Sequence, residues 1–98
     1  MDIHRKYILE DFALRHAITK NAIIHWIEKI ELLTVNSHNE LKQFFPAVDY
    51  VGGGRYVFNL KGNGYRIVAI VIFCEDSMMI RWVGTHAEYD KIEDCSNI

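Results

Sequence analysis

The sequence is poor in cysteine and has no long apolar run. Its two cysteines, Cys74 and Cys95, are too few for a disulfide scaffold, and their spacing does not match a metal site. No apolar run approaches the roughly 20 residues that cross a bilayer. No apolar stretch follows the charged amino end, so we expect neither a membrane segment nor a secretory signal. These absences predict a protein of the reducing cytoplasm.

Net charge is also small. The formal charge of −2 at pH 7 argues against strong, long-range attraction to nucleic acid. The charge is unevenly distributed, however. Residues 55–86 contain four basic and two acidic side chains, whereas residues 87–98 contain four acidic and one basic. A basic face beside an acidic tail is compatible with RNA binding at short range.

The first half of the sequence has helical periodicity. A short amphipathic helix is predicted to begin at Tyr7, and a longer one to run from Thr19, which can cap it, to Leu33. A third helix is predicted to begin at a capping box over residues 37–40 and to end before Pro46, the only proline.

The second half has the patterns of β-strands. Apolar and polar residues alternate over residues 55–61, and Gly62-Asn63-Gly64 then predicts a tight hairpin, because these residues accept positive φ. Residues 65–73 are nearly all apolar, which is typical of a central strand covered on both faces. Residues 78–84 predict a third strand.

Together these elements predict an α+β domain. Residues 1–5 add a short edge strand, and a capping box over residues 85–88 opens a terminal helix that ends near Ile92. The 98 residues, half of them apolar and without repeat or linker, suffice for one core. We therefore expect a single domain over residues 1–98: a small antiparallel β-sheet with helices packed on one face and a short C-terminal helix.

Two of the predicted strands carry an arginine. Alternation places Arg66 on the same side of its strand as Val68. It places Arg81 on the same side as Val83. Because an unpaired buried guanidinium is very costly, each needs a carboxylate, a phosphate or water. For a lone strand arginine, an exposed face or a salt bridge to the acidic terminal helix is the more common explanation.

The predicted terminal helix carries a histidine and a tyrosine on one face. His86 and Tyr89 are three residues apart, and an imidazole and a phenol beside arginines form a usable acid–base pair. The structural alternative is a cap histidine with a packing tyrosine. His86 and Asp90 have the spacing of two metal ligands, but no third ligand has recognisable spacing, so we predict no metal site.

Three stretches, in the same order and spacing, resemble one family. They are residues 45–52, residues 55–68 and residues 81–90, which are similar to segments of the HigB branch of the RelE-like toxins. The resemblance covers about residues 5–92 and is densest in the second half. It implies a RelE-like fold and an mRNA interferase, the endoribonuclease toxin of a type II toxin–antitoxin system, which cuts mRNA, often on the ribosome, and inhibits translation and growth.

The resemblance also implies site residues. Lys61, Arg66 and Arg81 match positions that hold the scissile phosphate, and Arg66 and Arg81 would stabilise its charge, in a cleavage that needs neither a metal nor a cofactor. His86 and Tyr89 match positions that move protons, and the sequence leaves open which is the base. Contacts to the RNA are expected from three residues: Lys61, Asn63 and Arg55.

The implied partners are an antitoxin, mRNA and the ribosome. The antitoxin is expected to be a helix–turn–helix protein of the HigA type, through which the complex binds DNA indirectly. Two alternatives remain open. One is a non-catalytic module that binds protein or RNA, for which the acidic balance favours protein. The other is an inactive relative whose only role is to bind the antitoxin.

Overall fold

The fold is described from a computed structural model over residues 1–62 and 64–98. Within these residues, nine elements follow one another: β1 (Asp2–His4), α1 (Tyr7–Arg15), α2 (Lys20–Leu32), α3 (His38–Phe44), β2 (Asp49–Gly52), β3 (Arg55–Leu60), β4 (Tyr65–Ile72), β5 (Ser77–Thr85) and α4 (His86–Tyr89). Three 3₁₀ turns accompany them at Ala17–Thr19, Phe73–Glu75 and Cys95–Asn97. No helix in the described ranges is long and apolar enough to cross a membrane.

The strands form one sheet with β4 at its centre, in the order β1-β5-β4-β3-β2. Strands β2 to β5 pair antiparallel with their neighbours. The edge strand β1 runs parallel to β5. The predicted α+β class and its three-stranded meander are therefore confirmed. The sheet extends further than predicted, because Asp49–Gly52 adds the edge strand β2.

Helices α1 to α3 supply the core that covers one face of the sheet. On α2 the buried residues Ile23, Trp26 and Ile30 recur at helical spacing, which explains its amphipathic pattern. The ring of Phe58 on β3 lies 5.2 Å from that of Trp26 and 5.2 Å from that of Phe45. Edge-to-face packing of this kind holds the helices on the sheet. Because α1 to α3 all cover the same face, the other face is open for α4.

Two of the three predicted caps are present. The Ser37 hydroxyl accepts from the Glu40 amide at 3.2 Å, and both halves of the capping box between Thr85 and Glu88 are formed at the start of α4. The predicted cap at Thr19 is wrong: its hydroxyl donates to the His16 carbonyl, because the preceding 3₁₀ turn places Thr19 in helical conformation. Helix α4 ends at Tyr89, short of the predicted end.

A β-bulge in β5 changes which face Arg81 occupies. Val68 pairs with Trp82, whereas the next residue, Ala69, pairs with Ile80, so Arg81 is an extra residue in β5. Simple alternation would have put Arg81 beside Val83, which packs against the core. That expectation is wrong, because the extra residue turns Arg81 to the open face.

Candidate active site

Arg66 and Tyr89 meet on the face of the sheet that α1 to α3 leave open. The guanidinium carbon of Arg66, on β4, lies 5.9 Å from the ring centre of Tyr89, on α4. This is a cation–π distance. Arg66 is only 8% exposed, and its Nη1 donates to the main-chain oxygen of Tyr65 at 3.2 Å. A cation fixed in this way, in a poorly hydrated position, is suited to stabilising negative charge.

The phenol of Tyr89 is held in its protonated form. Burial, with a hydrogen bond to Cys95 and the charge of Asp49, raises the pKa of Tyr89 to about 12, although Arg66 opposes the shift. At neutral pH the phenol can therefore donate a proton or a hydrogen bond, but it does not act as a phenolate base. The sequence alone left these two roles open.

His86 is oriented by a carboxylate one helical turn away. Its Nε2 lies 3.1 Å from Oδ2 of Asp90. Its main-chain N–H donates to the oxygen of Gly64 at 2.9 Å, which joins α4 to the β3–β4 turn. Its Nδ1 is buried and has no hydrogen-bond partner among the described residues. Asp90 therefore contacts the imidazole at Nε2, and because Nδ1 is buried, Nε2 is the ring nitrogen through which His86 could exchange a proton with a substrate.

Arg81 and Arg55 form a second cationic group on the same face. Both guanidinium groups donate to the main-chain oxygen of Ile98, Arg81 through Nε at 2.9 Å and Arg55 through Nε and Nη2 at 3.1 and 2.9 Å. Arg55 pairs with Ile70, which lies four residues along β4 from Arg66. At about 3.3 Å per residue, the main chain of Arg55 is offset from Arg66 by roughly 13 Å along the strand, and that of Arg81, opposite residues 68–69, by roughly 7–10 Å. The predicted arginines therefore share a face, but the contact with Ile98 joins Arg81 to Arg55 rather than to Arg66.

The remaining predicted RNA contacts concern the β3–β4 turn. Lys61 is exposed there and has a positive φ of 52°. It lies at the same end of the sheet as α4, because Gly64 of this turn accepts from the His86 amide. Asn63 lies outside the described residues.

Trp82 belongs to the same surface and was missed as a site residue. Its ring lies 6.2 Å from that of Tyr89, and the residue is partly exposed. Cys95 and Ile98 also contact the predicted residues and were not predicted to do so. The sequence did hold one signal for Trp82, which is a large aromatic residue in a strand that has only one face on the core. The contacts made by residues 95–98 have no local sequence signal.

The described residues hold no cluster of three or more histidine, cysteine or acidic side chains with metal-binding geometry. A groove of about 420 Å³ lies on the helical side of the molecule, between α1 and α2. Its lining consists of five aliphatic residues, two lysines and two glutamates. It lacks the histidine, tyrosine and arginine of the open face, so we assign the site to the open face.

Comparison with known proteins identifies the family. The model of the HigB toxin family, described as the RelE-like toxic component of a toxin-antitoxin system, matches residues 19–92. The chain belongs to this family. This match confirms the expected family, and all seven predicted site residues lie within it.

Curated relatives carry the same name. The "mRNA interferase toxin HigB" of Escherichia coli (strain K12) and the "mRNA interferase HigB" of Shigella flexneri are each 47% identical over 53 residues. The aligned part is 51% of this chain and 50% of each relative, so the chain spans about half the length of the curated relatives it matches.

Proposed function

We propose that this HigB-family protein is a cytoplasmic mRNA interferase that arrests growth by cleaving mRNA, with His86, Tyr89 and Arg66 as its catalytic residues and Arg81, predicted to be one of them, at a flanking phosphate. The observation that carries the proposal is the contact between the buried Arg66 guanidinium and the protonated Tyr89 phenol, on the helix that also holds His86. The names of the curated relatives support it.

The proposed chemistry is transesterification through the 2′-OH of RNA. His86 removes the 2′-OH proton through Nε2, once the 2′-OH takes the place of the Asp90 carboxylate beside that nitrogen, while the O2′–P bond forms. Arg66 stabilises the charge that develops on the phosphorane. The P–O5′ bond breaks, and Tyr89 donates its proton to the leaving 5′-oxygen, which is far more basic than a phenolate. The products are a 2′,3′-cyclic phosphate and a 5′-OH, with no metal ion required.

The second cationic group and the turn would hold the rest of the RNA. Arg81 and Arg55 would bind a flanking phosphate once it replaces the Ile98 oxygen that they now contact. Lys61 and Asn63 are assigned to the RNA strand at the β3–β4 turn. Because the net charge is −2, attraction to free RNA is weak, and we assign the ribosome as the place where mRNA is presented.

We also propose a HigA-type helix–turn–helix antitoxin as the protein partner, with DNA bound only through it. The family description names a toxin–antitoxin system and so supports an antitoxin. Co-expression with the neighbouring reading frame, followed by purification of a complex, tests this partner. Purification of the protein without a bound partner would contradict the proposed antitoxin.

Induced expression tests the catalytic assignment. We expect the wild-type protein to arrest growth, and His86→Ala, Arg66→Ala and Tyr89→Phe each to relieve the arrest while staying folded. Arg15→Ala is the matched control, because Arg15 is exposed on α1, where it contacts Asp11 and the ring of Phe12. Full toxicity of all three site variants would overturn the assignment.

Purified protein at high concentration on free RNA tests the metal requirement. Cleavage that continues in EDTA is the expected result. Activity lost in EDTA and restored by a divalent cation would contradict the metal-free mechanism. RNA bound without any cleavage would instead support the non-catalytic module, the second candidate function.

A further inference from the structure

We propose that Trp82 is the platform on which a base next to the scissile phosphate stacks, so that it determines RNA binding and base preference. The inference rests on the proposed function and gives it a specificity residue. It starts from the position of Trp82 in β5. Cross-strand pairing with Val68 puts Trp82 on the open face, because paired residues point to the same side of a sheet.

The indole extends along the strand toward Arg66. A Cβ atom built on Gly84 would lie 2.6 Å from both Cζ2 and Cη2 of Trp82, so the six-membered ring covers the space that a side chain at Gly84 would fill. Gly84 is the cross-strand partner of Arg66. The absence of a side chain at position 84 therefore lets the indole reach the neighbourhood of the guanidinium.

Trp82, Tyr89 and Arg66 form one continuous surface. The indole and phenol rings are 6.2 Å apart at 49°, and the Arg66 guanidinium carbon is 5.9 Å from the phenol centre. A phosphate held by Arg66 would place its attached nucleosides beside this surface. The partly exposed indole is the largest apolar group there that remains accessible to a base.

Stacking on aromatic side chains is the common way in which proteins bind single-stranded RNA bases. Removing one such platform weakens binding by about 5- to 150-fold, since stacking contributes roughly 1–3 kcal/mol per base. A tryptophan that only covers the sheet would contribute to folding stability but not to RNA affinity. The two roles are therefore separable by experiment.

Fluorescence can report on Trp82 alone. The chain has two tryptophans, and Trp26→Phe leaves Trp82 as the only indole. Trp26 lies in the core, and its buried Nε1 has no hydrogen-bond partner in the described part of the chain, so phenylalanine loses no known hydrogen bond there. The probe is a short, mixed-sequence 2′-O-methyl RNA, which lacks the nucleophile and cannot be cleaved. An abasic strand with the same phosphates is the control.

We expect the base-containing strand to quench Trp82 fluorescence and to bind about 5- to 150-fold more tightly than the abasic strand. Binding detected by anisotropy of a labelled strand, without quenching, would overturn the platform while leaving the proposed function intact. Equal affinity for both strands would also overturn it.

Cleavage kinetics on mRNA provide the second measurement. Trp82→Ala is expected to raise KM by about 5- to 150-fold, with a much smaller change in kcat, and to alter the bases found at mapped cleavage sites. Trp82→Phe, which keeps an aromatic face, is the matched control and should retain most of the affinity. Unchanged KM and cleavage sites in Trp82→Ala overturn the inference. Failure of the wild-type protein to cleave at all would contradict the proposed function instead.

Discussion

Tyr89 shows how much a single residue depends on neighbours that the sequence does not reveal. Its phenol lies near a thiol, a guanidinium and an indole that come from three different parts of the chain. Burial and the Cys95 contact raise its pKa to about 12. A free tyrosine is also protonated at neutral pH, and the folded environment disfavours the phenolate further, so Tyr89 is available as a donor and not as a base.

The raised pKa of Tyr89 predicts a pH dependence of stability. A free tyrosine ionises near pH 10, so between about pH 10 and 12 the unfolded chain loses its proton while the folded chain keeps it. The contribution of Tyr89 is therefore complete below pH 10 and is lost as the pH rises toward 12. Urea unfolding across this range should show a fall in stability that is smaller in Tyr89→Phe. Parallel curves for the two proteins would contradict the raised pKa.

Asp76 is predicted to be a residue on which folding depends. Its Oδ1 accepts from the Val35 amide at 3.2 Å, its Oδ2 lies 3.8 Å from the Met1 amino group, and its own φ is +50°. Asp76→Ala removes both contacts and leaves alanine in a left-handed conformation. We expect a loss of about 2 kcal/mol in the free energy of unfolding.

Asp76→Asn is the matched variant for this prediction. Asparagine tolerates the left-handed conformation and keeps the acceptor for Val35, so denaturant unfolding should show a smaller loss than for Asp76→Ala. Equal losses in both variants would indicate that the ion pair with Met1, rather than the hydrogen bond and backbone conformation, accounts for the effect.

At the scale of elements, the capping box of α4 should control activity as well as stability. Thr85→Ala removes the acceptor for the Glu88 amide and should cost about 1 kcal/mol. Because α4 carries His86 and Tyr89, we also expect RNA cleavage to fall by more than the unfolded fraction explains. Thermal melting and initial cleavage rates measure the two effects.

Ser37→Ala is the control for that prediction. It removes the equivalent hydrogen bond at the start of α3, which lies on the helical side of the sheet. A similar loss of stability with an unchanged cleavage rate is expected. If both cap variants lower the rate equally, the position of α4 has no special importance for catalysis.

Residues 95–98 form a second element whose contacts can be tested. A Cβ at Gly53 would lie 2.5 Å from the main-chain oxygen of Ser96, whereas one at Gly62 would meet nothing within 4 Å. Their φ values are +60° and +68°, so alanine is strained to a similar degree at both positions. We expect Gly53→Ala to increase amide exchange at residues 96–98 and Gly62→Ala to leave it unchanged. Equal exchange in both variants would show that these residues do not depend on the close contact.

The comparison of sequence with structure is most informative in the strands. The continuous apolar run of β4 and the amphipathic pattern of α2 depend on residues close in sequence, so both were predictable. The bulge that turns Arg81 to the open face was not, because strict alternation assigns it to the core side. Strand β2 was also missed, since it has only four residues and half of them are exposed.

At the scale of the whole molecule, the two faces of the sheet have separate tasks. One face is buried under α1 to α3, and the other carries Arg66 with Tyr89 and, separately, Arg55 with Arg81. The sequence identified these residues but could not show that Arg81 and Arg55 converge on Ile98, because that contact joins positions far apart in the chain. The grouping of Arg66 with Tyr89 depends in the same way on the register of β4 and β5.

The chemistry of the RNA ends tests the central claim most directly. Translating ribosomes are incubated with the purified protein, and the new mRNA ends are identified by mass spectrometry. The account predicts 2′,3′-cyclic phosphate ends, formed about 10²- to 10³-fold more slowly by Arg66→Ala, with no cleavage where a 2′-deoxy nucleotide is substituted at the scissile position. Ends bearing a 3′-OH, or cleavage that survives the 2′-deoxy substitution, would contradict it.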